Sequence, residues 1–365
     1  MLSVIEYRRA LHRIPELDDR LPETCDYVRS ALASFDLECF SPIPSSVCAF
    51  LDAGKASTVA FRADMDALPI TEATGLDYAS SHRGAMHACG HDGNTAMALA
   101  LAEHACAHRA ELPRNVLFLF QPSEETTGGA ERLCGTGILE EHHTERVFAM
   151  HLWPKLEPGE VYSRPGPIMA RSNEVTVTLT GKSVHIGRAA EGIDALAAGA
   201  EYLRRAYAMA EGLAEAEPVV LRFGKMVSGA VRNAVSGETV LEGSLRTFRD
   251  ETQARCQEAL ERIGREIGTE TGCGVEVRLS RGYPAVWNHE ALFETVRSGI
   301  GGIRPLEAPT LTAEDFSFYQ RRVPGLFFLL GVGDTAELHS PEFCFDDERI
   351  LPRGVEFLKR LLLLG

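Results

Sequence analysis

NVLFLFQPSEE, residues 115–125, is the stretch that settles the fold class. Five apolar residues run unbroken from Val116 to Phe120, and the run then stops at Gln-Pro-Ser-Glu-Glu. A strand with one wet face alternates; a short unbroken apolar run closed by proline suits a strand buried on both faces. Three other stretches have the same shape. TVAFR (58–62) leads into Ala-Asp-Met-Asp, RVFAMHLW (146–153) carries His151 near its end, and GLFFLLGV (325–332) leads into a loop containing His339. Helical patterns separate these runs, so the expected fold is α/β, with a mostly parallel central sheet flanked by helices. In such sheets, sites form beyond the carboxyl ends of the strands, and the polar residues of all four stretches fall there.

Outward from this core, residues 1–40 read as a helix, a turn near Pro15 and a second helix. The middle of the chain changes character. EVTVTLTG (174–181) alternates like a half-buried strand, and 192–214 is Ala- and Leu-rich and helical. VVLRFGKMV (219–227) and ETVLEGSLRTF (238–248) read as strands. Cys256, Ala259, Leu260, Ile263 and Ile267 mark one face of a helix over 251–271, and VEVRLSRG (275–282) closes the block. The order β-α-β-β-α-β is the split βαβ, or ferredoxin-like, pattern. The expected layout is therefore a discontinuous catalytic, metal-binding domain (1–172 and 284–365) with an inserted ferredoxin-like α+β domain (173–283).

Bulk properties narrow the function classes. The 365 residues carry 52 acids against 37 bases, a formal charge of −15. That argues against a nucleic-acid partner and an anionic membrane surface, both of which need clustered Lys and Arg. It leaves room for small anionic substrates at a locally positive site. No stretch has the 18 uninterrupted apolar residues of a membrane span, and MLSVIEYRRALHRIPEL lacks the apolar core of a signal peptide. Nine scattered cysteines suit free thiols in a reducing cytoplasm.

The chemistry-bearing stretch is MHACGHDGNT (86–95). With the strand-end residues it yields the candidates Asp64, Asp66, Cys89, His91, Asp92, Glu124, Glu125, His151 and His339. Each alone has a bland reading: a buried small thiol, a core histidine, a solvated carboxylate pair. Together they lie at the ends of one expected sheet. Thiolate, imidazole and carboxylate donors suit a borderline divalent metal: zinc, manganese, cobalt or nickel. Cys89, His91, Glu125, His151 and His339 suffice for a two-metal centre. Glu124 is then left outside the ligand set, able to take a proton from metal-bound water, and Asp66 can orient a ligand from behind. A Cys89 nucleophile with His91 as base is the competing chemistry, and it leaves Glu124, Glu125, His151 and His339 without a role.

HRIPEL (12–17), RADMDALP (62–69), MHACGHD (86–92), QPSEE (121–125), MHLWP (150–154), GKSVHIG (181–187), GSLRTF (243–248), LTAEDF (311–316) and LHSPEF (338–343) occur in this order along nearly the whole chain. In these motifs the chain resembles the amidohydrolase branch of the aminoacylase and carboxypeptidase metallopeptidase superfamily. That branch includes hippurate hydrolase, the indoleacetyl-amino-acid hydrolases and N-acetyl-diaminopimelate deacetylase. The resemblance implies metal-dependent hydrolysis of the linear amide of an N-acyl amino acid, giving a carboxylic acid and a free amino acid. It implies two divalent metals per chain on Cys89, His91, Glu125, His151 and His339, Glu124 as general base and Asp66 behind the ligands. It also implies that the inserted domain is a lid through which homodimers, or higher homo-oligomers, form. His185 matches a lid histidine that reaches the substrate carbonyl, in some members from the partner subunit, and Asn233 and Arg246 match lid positions that can contact the substrate.

Two departures stand out. The branch often has GHDGHT where this chain has GHDGNT, with Asn94 in place of histidine. Its lid motif is often HAAxPH, whereas here His185 is followed by Ile-Gly-Arg-Ala-Ala, so that a proline and a histidine are missing and Arg188 stands nearby as a candidate anion contact. The runner-up activity is a dipeptidase or carboxypeptidase of the same superfamily. The competing class is a binding protein on a dead hydrolase fold. Such a protein loses ligands or base, and here none is missing.

Overall fold

The computed structural model describes residues 3–214 and 217–365. The chain divides into two compact units: Met1–Ile168 with Val286–Ala308 and Asp315–Gly365, and Met169–Ala285 with Pro309–Glu314. The division thus adds to the inserted block a six-residue segment, 309–314, that the sequence does not mark. Its backbone explains the attachment, because Met169 bridges Thr310 and the Ala170 amide donates to the Thr312 carbonyl.

The larger unit is built on strands β1 (Cys39–Phe40), β2 (Val47–Leu51), β3 (Thr58–Asp64), β4 (Asn115–Gln121), β5 (Thr144–Pro154) and β6 (Val161–Ser163). The remaining strands, in chain order, are β7 (Gly166–Met169), β8 (Arg171–Thr180), β9 (Val220–Ser228), β10 (Glu238–Thr247), β11 (Gly274–Leu279), β12 (Val286–Asn288), β13 (Ile303–Pro305) and β14 (Gly325–Gly333). Eight of them form one sheet in the order β1-β2-β4-β3-β5-β14-β6-β13. The four strands read from the apolar runs, β4-β3-β5-β14, are its parallel centre. In register, Asp64 lies beside Gln121, and His151 beside Leu329. The chemistry-bearing ends are thereby brought to one edge. The sheet is mixed rather than wholly parallel: β2 runs antiparallel to β4, and β6 to β14.

The helices are α1 (Val4–His12), α2 (Pro22–Ala33), α3 (His91–Ala107), α4 (Gly129–Gly135), α5 (Ile138–Glu141), α6 (Ala195–Ala214), α7 (Asp250–Thr271), α8 (Glu290–Ile300), α9 (Ser317–Gln320) and α10 (Asp347–Leu362). Alternate sheet residues (Phe61, Phe118, Phe148, Met150, Phe328 and Leu330) pack with Leu11, Met97, Leu101, Leu351 and Leu358 from α1, α3 and α10 in the principal core. Helix α3 is buried almost all round, as a helix between a sheet and other helices must be. It starts at Gly90, whose φ of 84° is left-handed, and a Cβ on Gly93 would lie 2.6 Å from Leu152 Cδ1. The two glycines let the head of α3 lie directly against β5. On the opposite sheet face Arg62, Asp64 and Gln121 form a buried polar stripe, with Arg62 donating to Asp64, Gln121 and Asp315.

The smaller unit runs β8-α6-β9-β10-α7-β11, with its four strands all antiparallel in the order β11-β8-β10-β9. Val175, Val177, Leu179, Leu241 and Leu245 pack under Tyr202, Leu260 and Ile263 of the two helices. The Tyr202 hydroxyl donates to the Leu260 carbonyl and so carries its polar end into the core with a partner. No helix among the described residues is long and apolar enough to cross a membrane.

Candidate metal centre

Four segments converge at the carboxyl edge of the large sheet: the turn before α3, the loop after β4, the end of β5, and the 339 loop. Cys89 Sγ lies 3.6 Å from His151 Nε2. His339 Nε2 lies 3.2 Å from Glu125 Oε1, and His91 Nε2 lies 3.8 Å from the same oxygen. Donor atoms of Cys89, His91 and His151 lie within 4.8 Å of one another, as do those of Cys89, Glu125 and His339, and those of His91, Glu124 and Glu125. Cys89 belongs to both of the first two triads. The five residues read as ligands are therefore gathered in one place, with Glu124 among them.

Local backbone devices hold the segments there. His91 Nδ1 donates to the Asp66 carbonyl at 2.7 Å, and His151 Nδ1 donates to the Leu152 carbonyl at 2.7 Å. A carbonyl only accepts, so each bond fixes Nδ1 as a donor, and in the neutral ring the lone pair is then on Nε2. The Asp66 carboxylate accepts from the Glu124 amide at 3.0 Å and the Glu125 amide at 3.1 Å. It braces the carboxylate-bearing turn rather than any one ligand. Ser123 and His339 both adopt left-handed φ, 59° and 65°, a strained conformation that persists only where the surroundings impose it. The His339 amide donates to the Ala88 carbonyl, which ties the 339 loop to the cysteine turn.

The electrostatics call for a cation. Burial pushes His91 down, but Asp64, Asp66 and Glu125 outweigh it and hold it at about 10. Burial and the carboxylates of Glu125 and Glu124 push the Cys89 thiol well up, and burial takes His151 down to about 4. His91 Nε2 and Glu125 Oε1 are buried with no hydrogen-bond partner, a costly state that a bound cation relieves. Donor type, convergence and these two orphaned atoms all fit divalent metal. They do not suit a Cys89–His91 nucleophile pair, because a thiol held so far up carries little thiolate and the imidazole in hydrogen-bond reach of Cys89 Sγ is that of His151, at 3.6 Å.

One candidate turns elsewhere, and a second, Asp64, stays beside His91, its Oδ2 3.7 Å from His91 Nε2, with its oxygens engaged by other partners. Asp92, next to His91, points back to α1. Its Oδ2 accepts from Arg8 Nε at 3.0 Å and from His12 Nδ1 at 2.8 Å. Asp64 accepts from Arg62 and Asn94. His12, Arg62, Gln121 and Asp315 fall within the motifs quoted above, yet the sequence assigns them no role at the site, and Arg8 lies outside those motifs. A further readable signal is an arginine inside an otherwise apolar strand, since a buried guanidinium must be paired.

His12 yields a pH prediction. Both of its ring nitrogens face carboxylates, Asp92 and Glu72, so both must donate and the ring is an imidazolium. Burial opposes that charge, but Asp92 and Glu72 outweigh it and raise His12 from 6.5 to about 8. A raised histidine stabilises fully below its unfolded value, and that contribution is lost as pH rises through about 8. The difference amounts to about 2 kcal/mol. Urea unfolding at pH 6 and pH 9 should show wild type losing this increment relative to His12→Gln; equal slopes for the two proteins would refute the imidazolium assignment.

In the smaller unit, His185 is exposed and caps the 3₁₀ turn Ile186–Glu191, its Nδ1 accepting from the Gly187 amide at 3.2 Å. The Asn233 carbonyl accepts from the Ile186 amide, which places Asn233 and His185 on adjoining segments. Arg246 lies half-buried in β10, its guanidinium pulled down by burial. Arg188 is paired with Glu191 in its own turn, Nε to Oε1 at 2.8 Å, so the candidate anion contact is already engaged.

A mixed α/β sheet whose carboxyl edge gathers thiol, imidazole and carboxylate donors is compatible with a hydrolase of the metallopeptidase class. The chain belongs to peptidase family M20/M25/M40, whose sequence pattern matches residues 60–364. It is 33% identical over 370 residues to an uncharacterized hydrolase of Staphylococcus epidermidis, covering 98% of this chain and 96% of that one. It is 31% identical over 378 residues to an N-acetyldiaminopimelate deacetylase of Lacticaseibacillus paracasei, covering 99% and 98%. Among solved structures, the YXEP protein of Bacillus subtilis, described as a dinuclear metal binding peptidase of the M20 family, superposes with a TM-score of 0.86 at 30% identity, covering 99% of this chain and 96% of that one.

Proposed function

We propose that the protein hydrolyses the amide bond of an N-acyl amino acid to a carboxylic acid and a free amino acid. The observation that carries this reading is Glu124, buried beside the donor atoms of His91 and Glu125 and not needed among the five residues read as ligands. Cys89, His91, Glu125, His151 and His339 would hold two divalent ions (zinc, manganese, cobalt or nickel). When bound, the metal lowers the pKa of water and polarises the carbonyl. Asp66 holds the Glu124 backbone in place. Glu124 accepts the proton of the attacking water and returns it to the leaving nitrogen. His185 donates to the developing oxyanion, and Asn233 and Arg246 hold the free carboxylate of the substrate. The smaller unit acts as a lid and dimerisation domain. The deacetylase relative supports an amino-acid amide as substrate, and the free state of all nine cysteines suits a cytoplasmic enzyme.

The test is amine release by metal-loaded protein from a panel of acetyl, benzoyl and long-chain N-acyl amino acids, with dipeptides beside them. Release from one acyl class is expected. Release from dipeptides alone would move the reading to a dipeptidase, and silence throughout would favour a fold kept for binding.

A further inference from the structure

We propose that Asp64 and Asn94 form a positioning pair for the metal-binding histidines: Asp64 sets a fixed negative charge beside His91, and Asn94 couples that carboxylate to the strand carrying His151. The inference rests on the metal-centre reading above and adds two residues outside its ligand set.

Asp64 ends β3 and is 1% exposed. Each of its carboxylate oxygens is occupied: Oδ2 accepts from Arg62 Nη1 at 2.7 Å, and Oδ1 accepts from Asn94 Nδ2 at 2.9 Å. Its carbonyl accepts from Thr95 Oγ1 at 2.7 Å. Held from three directions, it cannot swing. Its Oδ2 stands 3.7 Å from His91 Nε2, the nitrogen that has no hydrogen-bond partner. That separation is too long for a hydrogen bond but well inside the range of strong charge interaction in a buried site. Arg62 does not discharge it fully, because the same guanidinium also serves Asp315, Nη2 to Oδ1 at 2.7 Å. A carboxylate so placed raises the affinity of the site for a cation; its donor atom also lies within 4.8 Å of one of His151, and the engagement of both its oxygens by Arg62 and Asn94 sets it apart from the ligands.

Asn94 lies three residues beyond His91 on α3, on the same helix face. While its Nδ2 donates to Asp64, its Oδ1 accepts from the Leu152 amide at 3.3 Å. Leu152 is the residue whose carbonyl fixes the His151 ring. One planar amide therefore links Asp64, the head of α3 and the backbone that orients His151. An amide supplies donor and acceptor together without charge, so Asn94 leaves the negative charge of Asp64 undiminished.

The experiment uses the full-length protein stripped of metal and titrated with cobalt(II). Affinity is read by chelator competition, geometry by the visible d–d absorption, and the fold by urea unfolding of the metal-free protein. Asp64→Asn is expected to weaken cobalt binding by about 10–100-fold, the usual cost of losing a partner behind a ligand, with the d–d band intensity retained because no ligand is lost. Asn94→Ala keeps the charge and is expected to shift the d–d band with a smaller loss of affinity. A role confined to folding would lower urea stability and leave the affinity of the folded protein alone, and unchanged affinity in folded Asp64→Asn overturns the inference. If Asp64→Asn does not fold, the Asn94→Ala spectrum decides: a shifted band supports the coupling, and an unshifted band with unchanged affinity overturns it. Wild type that takes up no cobalt overturns the metal-centre reading, and this inference with it.

Discussion

Glu124→Gln is expected to keep its metal and to lose about 10²–10⁴-fold in turnover, the range that a positioned general base supplies. The substitution is nearly isosteric, so packing around a residue that is 7% exposed changes little. The backbone brace from Asp66 goes to the Glu124 amide and survives any change of side chain. The five residues read as ligands are all distinct from Glu124, so metal content measured after dialysis should match wild type. Only the ability to accept a proton is removed. Turnover within a few-fold of wild type would remove Glu124 as the base. Lost metal would show instead that Glu124 is itself a ligand, a reading that its closeness to His91 and Glu125 makes a sharp alternative. The two failures differ in metal content and so are separable in one preparation.

What the sequence reveals follows from what burial does to sequence patterns. The four central strands are legible because they are buried on both faces along most of their length, so each carries an unbroken apolar run with its polar residues mostly toward the ends. Strands β8 and β10 are legible for the opposite reason: one face packs under α6 and α7 while the other faces outward, and alternation appears. The flanking strands β1, β6 and β13, only two or three residues long, carry no such pattern. Antiparallel β2 (VCAFL) is nearly all apolar, and nothing in it states its direction. The candidate ligands are legible because thiol, imidazole and carboxylate types recur at strand ends. What brings them to within a few ångströms is not. The left-handed backbone at Ser123 and His339, and the bonds from Asp66 to two successive amides, depend on residues far apart in the chain. Asp92 is the instructive case. Its position beside His91 suggests a ligand, yet the charges of Arg8 and His12, more than 75 residues away, turn it to the other side of the helix head.

Arg8→Met is expected to cost about 3–5 kcal/mol of stability, the usual penalty for stranding a buried charge. Arg8 is 1% exposed on α1. Its Nε donates to Asp92 on α3, and its Nη1 donates to Tyr78 and to Asp347 on α10. The guanidinium also lies 4.1 Å from the centre of the Phe345 ring, so three helices and two loops meet on one cation. Methionine fills most of the volume but leaves Asp92 with His12 as its remaining cation, and Asp92 Oδ1 already lacks a partner. Asp347 retains Arg9, whose Nη2 lies 2.9 Å from Asp347 Oδ1, so most of the cost should fall on Asp92. Adding Asp92→Asn to Arg8→Met removes the stranded charge and should recover part of the loss, because a buried ion pair replaced by neutral groups is often tolerated. The cycle of wild type, the two single variants and the double variant in urea measures the coupling directly. Additive losses would mean that Arg8 acts through its packing on Phe345 and Tyr78. A large positive coupling would place the stability of the helix head that presents Cys89 and His91 in a charge pair reaching from the eighth residue of the chain.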